Sequence, residues 1–210
     1  MNRSAAFREE DESMPASLWD VEYLTFDVET TGLSPAFCEI VEFGAVRFTA
    51  DGTEVGQFQQ LVNPGCAIPF HASRVHGITD DMVRGQPRLK TVLPDFLEFL
   101  SARPSLLLAH NASFDQGFVG AAIRRIGCRK IPGDPVIDTL SFARARLPHL
   151  RRHRLPDLRT HFRIATPAAH RALEDSLVLK SVFLKLAQFQ PAVTSLDDVF
   201  RLSPPRKLGG

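Results

Sequence analysis

With 210 residues, 44% hydrophobic and 23% charged, and a formal net charge of +1, the chain has the composition of a soluble globular protein. It is long enough for one well-buried domain with short tails, although length alone does not exclude two. No apolar run approaches a membrane span, the longest (residues 105–109) being strand-sized, and the acidic N-terminus lacks the apolar core of a secretory signal.

Residues 1–17 read as an acidic flexible tail; over the first twenty positions Arg3 and Arg8 stand against Glu9, Glu10, Asp11, Glu12 and Asp20. A domain spanning 18–190 follows, then a C-terminal tail over 191–210 that holds Pro191, Pro204 and Pro205. β-Branched and aromatic residues predict strands at 23–29, 39–49 and 54–62, with a hairpin turn at Asp51-Gly52, so these three form an antiparallel meander. Asn63-Pro64-Gly65 breaks the pattern. A short helix capped by Thr79 covers 79–85, and helical periodicity over 89–102 brings Val92, Leu93, Phe96, Leu97, Phe99 and Leu100 into play. The apolar run 105–109 is a buried strand of the parallel-sheet kind. Helix 113–126, strand 135–138 and helices 139–147, 155–161 and 172–187 complete an α/β fold with a mixed sheet. No internal repeat is visible.

Cys38, Cys66 and Cys128 are odd in number, widely spaced and without C-x-x-C pairing. That fits reduced thiols in a cytoplasm and argues against a zinc site. The near-neutral charge hides segregation: between residues 144 and 163, Arg144, Arg146, Arg151, Arg152, Arg154, Arg159 and Arg163 face only Asp157. Such a stretch is either a nucleic-acid footprint or a solvated helical face.

In the first strand, side chains alternate, so Asp27 and Glu29 point to one face and Leu24, Phe26 and Val28 to the other. Two carboxylates together on an otherwise apolar strand repel and lose hydration unless a positive group sits between them. Oxygen ligands suit Mg²⁺ or Mn²⁺; the alternative is an edge strand with two solvated acids. His110-Asn111-Ala112-Ser113-Phe114-Asp115 directly follows the buried strand, at the carboxyl end where open α/β sheets place their sites. Asp115 falls in a first helical turn, where the dipole favours a carboxylate. Asp138 ends the next strand and reads as an N-cap. In His170-Arg171-Ala172-Leu173-Glu174-Asp175, a spacing of five lets His170 and Asp175 converge only if His170 precedes the helix, a placement that Pro167 supports.

With Asp27, Glu29, Asp115, His170 and Asp175 in this order, the chain resembles the DnaQ-like 3′–5′ exonucleases with four acids and a histidine (DEDDh), the group of the epsilon proofreading subunit of DNA polymerase III. The resemblance runs from about Trp19 to Gln190 and rests on five segments: 26–33, Val75-His76-Gly77-Ile78, 110–115, Ile137-Asp138-Thr139-Leu140 and 170–175. It implies a ribonuclease H-like fold and phosphodiester hydrolysis with two divalent ions, ~3.5–4 Å apart. By the same resemblance Asp27 bridges the ions, Glu29 and Asp175 bind the ion that activates water, and Asp115 supports the second ion. His170 accepts the proton of the attacking water, for which it must be neutral. Leu33 and Phe114 are expected to pack on the terminal bases, with plain core as the alternative. The backbone at Thr30, Thr31 and Gly32, with His76 and Asn111, is expected to grip the terminal nucleotide. The implied partners are a DNA 3′ end, with RNA as the alternative substrate, and a DNA polymerase or other replication or repair protein; no membrane is implied. A non-catalytic nucleic-acid-binding module is a further alternative, against which all five chemical positions are intact.

Overall fold

The computed structural model describes residues 17–128, 132–165 and 170–208. Strands β1 (Tyr23–Thr30), β2 (Ile40–Phe48) and β3 (Glu54–Leu61) form the expected antiparallel meander. Its hairpin closes at Gly52, whose φ of 89° lies in the region glycine enters without steric cost. After α1 (Phe70–His76), α2 (Asp80–Val83) and α3 (Leu89–Ser101) come β4 (Leu106–Ala109), α4 (Ala112–Ile126) and β5 (Pro135–Asp138). Helices α5 (Thr139–Arg146), α6 (Leu155–His161), α7 (Ala172–Gln188) and α8 (Leu196–Leu202) follow, and β6 (Arg206–Lys207) ends the order. The sheet runs β3-β2-β1-β4-β5-β6. β1, β4 and β5 are mutually parallel, so their carboxyl ends share one edge.

Alternation along β1 sorts its side chains between two cores. Leu24, Phe26 and Val28 join Phe43, Phe96, Leu97 and Val119 on the side of α3 and α4. Tyr23 joins Phe142, Leu158, Val182 and Phe183 on the side of α5, α6 and α7. Thr25, Asp27 and Glu29 share that second face by the period of two, so α7 covers the acid-bearing side of the strand. It can approach closely because β2 carries Gly44: a Cβ there would lie 2.1 Å from Ala172 C and 2.2 Å from Leu173 N. The Ser176 hydroxyl adds a 3.2 Å hydrogen bond to Gly44 O.

Three differences from the sequence expectation have local causes. Helix α1 was not expected; it spans seven residues, about two turns, between Pro69 and the left-handed Gly77, too short for an amphipathic period to show. Residues from 191 onward were expected as a tail, but α8 and β6 pack onto the sheet. Ser195 caps α8 by accepting from Asp198 N at 3.2 Å, β6 pairs antiparallel with β5, and Val193, Leu196, Val199 and Leu208 are buried. Prolines here punctuate a helix rather than mark disorder. At the other end, Ser17 bridges to Ser195 and Leu18 is buried, while residues 1–16 of the expected N-terminal tail lie outside the described residues.

Candidate active site

Asp27 and Glu29 sit near the carboxyl end of β1, and Asp175 lies in the first turn of α7 laid across them. One carboxylate oxygen from each of the three falls within 4.8 Å of the others. Asp115 reaches the same edge from α4. β1 pairs with β4 only as far as Thr25↔Leu108, and beyond it the Val28 amide donates to Asp115 Oδ1 at 3.2 Å. His170 precedes α7, as the spacing of five requires, with Nδ1 4.0 Å from Asp175 Oδ2 and its side chain 56% exposed. Pro167 lies outside the described residues.

These acids raise one another's pKa. Burial, then the charges of Asp115, Glu29, Asp175 and Glu42, holds Asp27 well above the usual carboxylate range. Burial and then Asp175, Glu42 and Asp115 push Glu29 up to about 9, with Arg171 pulling the other way. Burial lifts Asp115 to about 8 against the Val28 hydrogen bond, and lifts Asp175 to about 6 against His170 and Arg159. Carboxylates that repel in a dry site, with oxygens converging from three directions, form a donor set for a hard divalent cation. The donor chemistry and the spacing both fit such an ion.

The remaining expected site residues surround this edge. Thr30 is buried, its hydroxyl donating to Gly32 O at 2.6 Å, and the Thr31 hydroxyl accepts from Glu39 N at 2.9 Å. A Cβ at Gly32 would lie 2.7 Å from Cys38 Sγ. Leu33 is 86% exposed, an unusual position for a leucine in a tight loop. His76 is buried at the end of α1; Nδ1 accepts from Ile78 N at 3.0 Å, whereas Nε2 is buried without a partner. Asn111 is exposed in the left-handed region (φ 65°) just before α4, a conformation asparagine tolerates. Phe114 is half-buried and tilts against Phe118 at 5.0 Å, so much of its ring belongs to the core. Asp138 is the N-cap that sequence reasoning assigned, accepting from Leu140 N and Ser141 Oγ. It also accepts from Asn111 N at 3.0 Å, locking the starts of α4 and α5 together.

Two residues without an expected role hold the site in shape. Glu42 on β2 is in register with Glu29, and its carboxylate is fully buried. It accepts from Arg171 Nε at 2.9 Å, Arg171 Nη2 at 2.5 Å, Ala172 N at 3.0 Å and Gln59 Nε2 at 3.0 Å. This ties the start of α7, and with it His170 and Asp175, to the sheet. The available signal was an acid set alone in the apolar run Ile40-Val41-Glu42-Phe43.

The fold is a mixed α/β sheet of the ribonuclease H-like kind, with an acidic cluster at its carboxyl edge. Residues 24–183 match the RNase_T exonuclease family, and the chain belongs to it. Among its relatives is the PolC-type DNA polymerase III of Oceanobacillus iheyensis, 40% identical over 172 residues, covering 82% of this chain and 12% of that protein. The enzyme of the same name from Streptococcus sanguinis is 38% identical over 185 residues, covering 87% and 12%. The chain thus spans about one eighth of the length of these curated relatives. Exonuclease X in complex with 5′-overhanging duplex DNA superposes with a TM-score of 0.65 at 25% identity, covering 86% of this chain and 98% of that one. E. coli exonuclease I in complex with a dA16 oligonucleotide shares the fold, with a TM-score of 0.72 at 20% identity over 82% and 42%. No helix among the described residues is long and apolar enough to cross a membrane.

Proposed function

We propose that the chain is a metal-dependent 3′–5′ exonuclease of the DEDDh type, releasing nucleoside monophosphates from single-stranded or frayed DNA 3′ ends. The observation that carries this reading is the convergence of Asp27, Glu29 and Asp175 oxygens within 4.8 Å, beside an exposed histidine, in a chain of the exonuclease family. Asp27, Glu29, Asp115 and Asp175 would hold two divalent ions, Mg²⁺ or Mn²⁺. Ions held there would supply Lewis acidity for phosphodiester hydrolysis.

The chain's own residues do the rest. His170, next to Asp175 and open to solvent, takes the proton of the attacking water on its imidazole. Leu33 offers an apolar platform to the terminal base, joined by the open part of Phe114. The backbone at Thr30, Thr31 and Gly32, with the unpartnered His76 Nε2 and Asn111, holds the terminal nucleotide. Stacking without reading base edges makes the activity tolerant of sequence. The likeness to PolC-type polymerases supports a role beside a DNA polymerase or another replication or repair protein.

The test is degradation of 5′-labelled single- and double-stranded DNA, with matched RNA, in Mg²⁺, Mn²⁺ or EDTA. Stepwise shortening of DNA from the 3′ end, abolished by EDTA, is expected. Shortening from the 5′ end, cleavage in EDTA, or a preference for RNA over DNA would overturn the reading.

A further inference from the structure

An acidic cluster faces a difficulty with a nucleic-acid substrate: at the entrance, carboxylates repel the phosphates that must reach them. A strand can approach only if a positive field stands nearby. In a chain with a net charge of +1, that field has to be local, and the arginine-rich stretch between 144 and 163 is where it resides.

The structure divides those arginines by occupation. Arg146 donates to the Leu186, Phe189 and Pro191 carbonyls and serves the fold. Arg154 is ion-paired with Asp157 at 2.9 Å. Arg159 donates to Ile164 O, and its charge reaches Asp175. Arg144, Arg151, Arg152 and Arg163 are exposed and make no side-chain hydrogen bond or ion pair among the described residues, but Arg163 lies beyond the end of α6, away in sequence from the loop that carries Arg151 and Arg152. Arg151 and Arg152 line an open pocket of about 460 Å³ with Leu150, Asp157 and His161.

The loop that presents them is built into the catalytic edge. His153 Nε2 lies 2.8 Å from Leu147 O, and the His153 carbonyl lies 2.8 Å from His110 Nε2. His110 Nδ1 is 3.0 Å from Thr139 Oγ1, and that hydroxyl donates to Ala109 O. His110 directly follows β4, so the loop hangs from the same sheet edge that carries the acids. Arg144, in the last turn of α5, is close enough to act on the His110 ring. Arg144 at the end of α5 and Arg151 and Arg152 on the pinned loop are like charges without an ion pair of their own, Arg152 acting only at a distance on Asp157; their use lies in attracting an anion.

We infer that Arg144, Arg151 and Arg152 form a phosphate track that holds the backbone of the substrate strand upstream of the nucleotide being removed. The inference rests on the exonuclease reading above. Each phosphodiester carries one negative charge, and guanidinium groups bind it without regard to base.

The experiment measures the salt dependence of binding of a fluorescent 16-nucleotide DNA strand to the full chain, in an Asp175→Asn background that keeps the strand uncut. Against it stand Arg151→Gln/Arg152→Gln and, as control, Arg103→Gln, whose site before β4 lies at the opposite edge of the sheet. For single strands each neutralised phosphate contributes about 0.7 to the slope of log K on log salt, so losing two contacts should flatten it by about 1.4. Arg103→Gln, which gives up only the half-exposed ion pair of Arg103 with Glu22 at 3.0 Å, should leave the slope unchanged, and the melt of the double variant should match its parent, since neither Arg151 nor Arg152 makes a side-chain hydrogen bond or ion pair among the described residues. A slope unchanged in the double variant, or flattened as much by Arg103→Gln, would overturn the track. Degradation by the chain with Asp175 intact separates the two readings: no degradation in any divalent ion fails the exonuclease assignment itself, whereas degradation with an unchanged slope fails the track alone.

Discussion

Replacing Arg171 tests how the start of α7 is held. Glu42 is fully buried and accepts from four donors, two of them on Arg171. In Arg171→Ala the carboxylate keeps only Ala172 N and Gln59 Nε2, next to Glu29 across the strands. Removing one partner of a buried ion pair costs ~3–5 kcal/mol, because the other charge stays behind. The Arg171 side chain is 25% exposed, so water screens part of the loss and the lower end applies, ~3 kcal/mol. For a domain of this size each kcal/mol shifts Tm by ~2–4 °C, giving a fall of about 6–12 °C. Thermal and urea melts in EDTA measure it without interference from bound cations. The double variant Glu42→Gln/Arg171→Met removes the stranded charge and should recover most of the loss, a coupling that a double-mutant cycle reads directly. If Arg171→Ala melted within a degree of the parent, or the double variant were no more stable than the single one, the pair would not be what anchors the helix.

Other consequences follow from the acid cluster and from α7. Without divalent ions the clustered carboxyls bind protons more tightly in the native state than in the unfolded one, where they titrate near ~4; their contribution to stability should therefore be lost as pH rises from there through the values of Asp175, Asp115 and Glu29, about 6, 8 and 9. Mn²⁺ at a hundredfold excess over its Kd should restore ~2.7 kcal/mol per site; a flat metal-free profile from pH 5 to 9 by urea melts would contradict the first expectation, and melts unchanged by Mn²⁺ the second. His170→Ala should leave ion binding intact while slowing single-turnover cleavage ~10²–10⁴-fold; loss of ions by calorimetry, or an undiminished rate, would exclude it as the base. Gly44→Ala places a Cβ 2.1 Å from the Ala172 backbone and should destabilise by ~1–3 kcal/mol or more, as overpacking does, which chemical denaturation would register.

Whatever is short in sequence was legible. The alternation that puts Leu24, Phe26 and Val28 on one face of β1 and Asp27 and Glu29 on the other is written in eight consecutive residues. The turn at Gly52, the cap at Asp138 and the strand-to-helix passages after β4 and β5 are equally local. Helix α7 was legible from its apolar spacing, and so was the placement of His170 ahead of it. What escaped is held by partners distant in the chain. Arg171 meets Glu42 across 129 positions, and His110 meets the His153 carbonyl across 43. No local pattern encodes such pairs, since either residue alone reads as an ordinary surface or strand residue. Helix α8 is intermediate: Ser195 with Asp198 three residues on is a cap signature, but the seven residues that follow are too few for an apolar period to show.

Glu29 and Glu42 show most directly how this sheet separates an acid whose charge is matched from one whose charge is not. They face each other in register on adjacent antiparallel strands, and each is a charge set in an apolar strand. Glu42 meets a guanidinium and a backbone amide supplied by the start of α7, so its charge is matched and its geometry is locked. Glu29 has other acids as its principal neighbours, Asp175, Glu42 and Asp115, and its pKa rises to about 9 in spite of Arg171. One helix therefore satisfies the first acid while bringing a further carboxylate, Asp175, up to the second. A fold that can spare an arginine for Glu42 yet sets Glu29 among like charges keeps a place for a cation. The unmet charge at Asp27, Glu29 and Asp175 is a conflict between local stability and global fold of the kind that concentrates at functional sites.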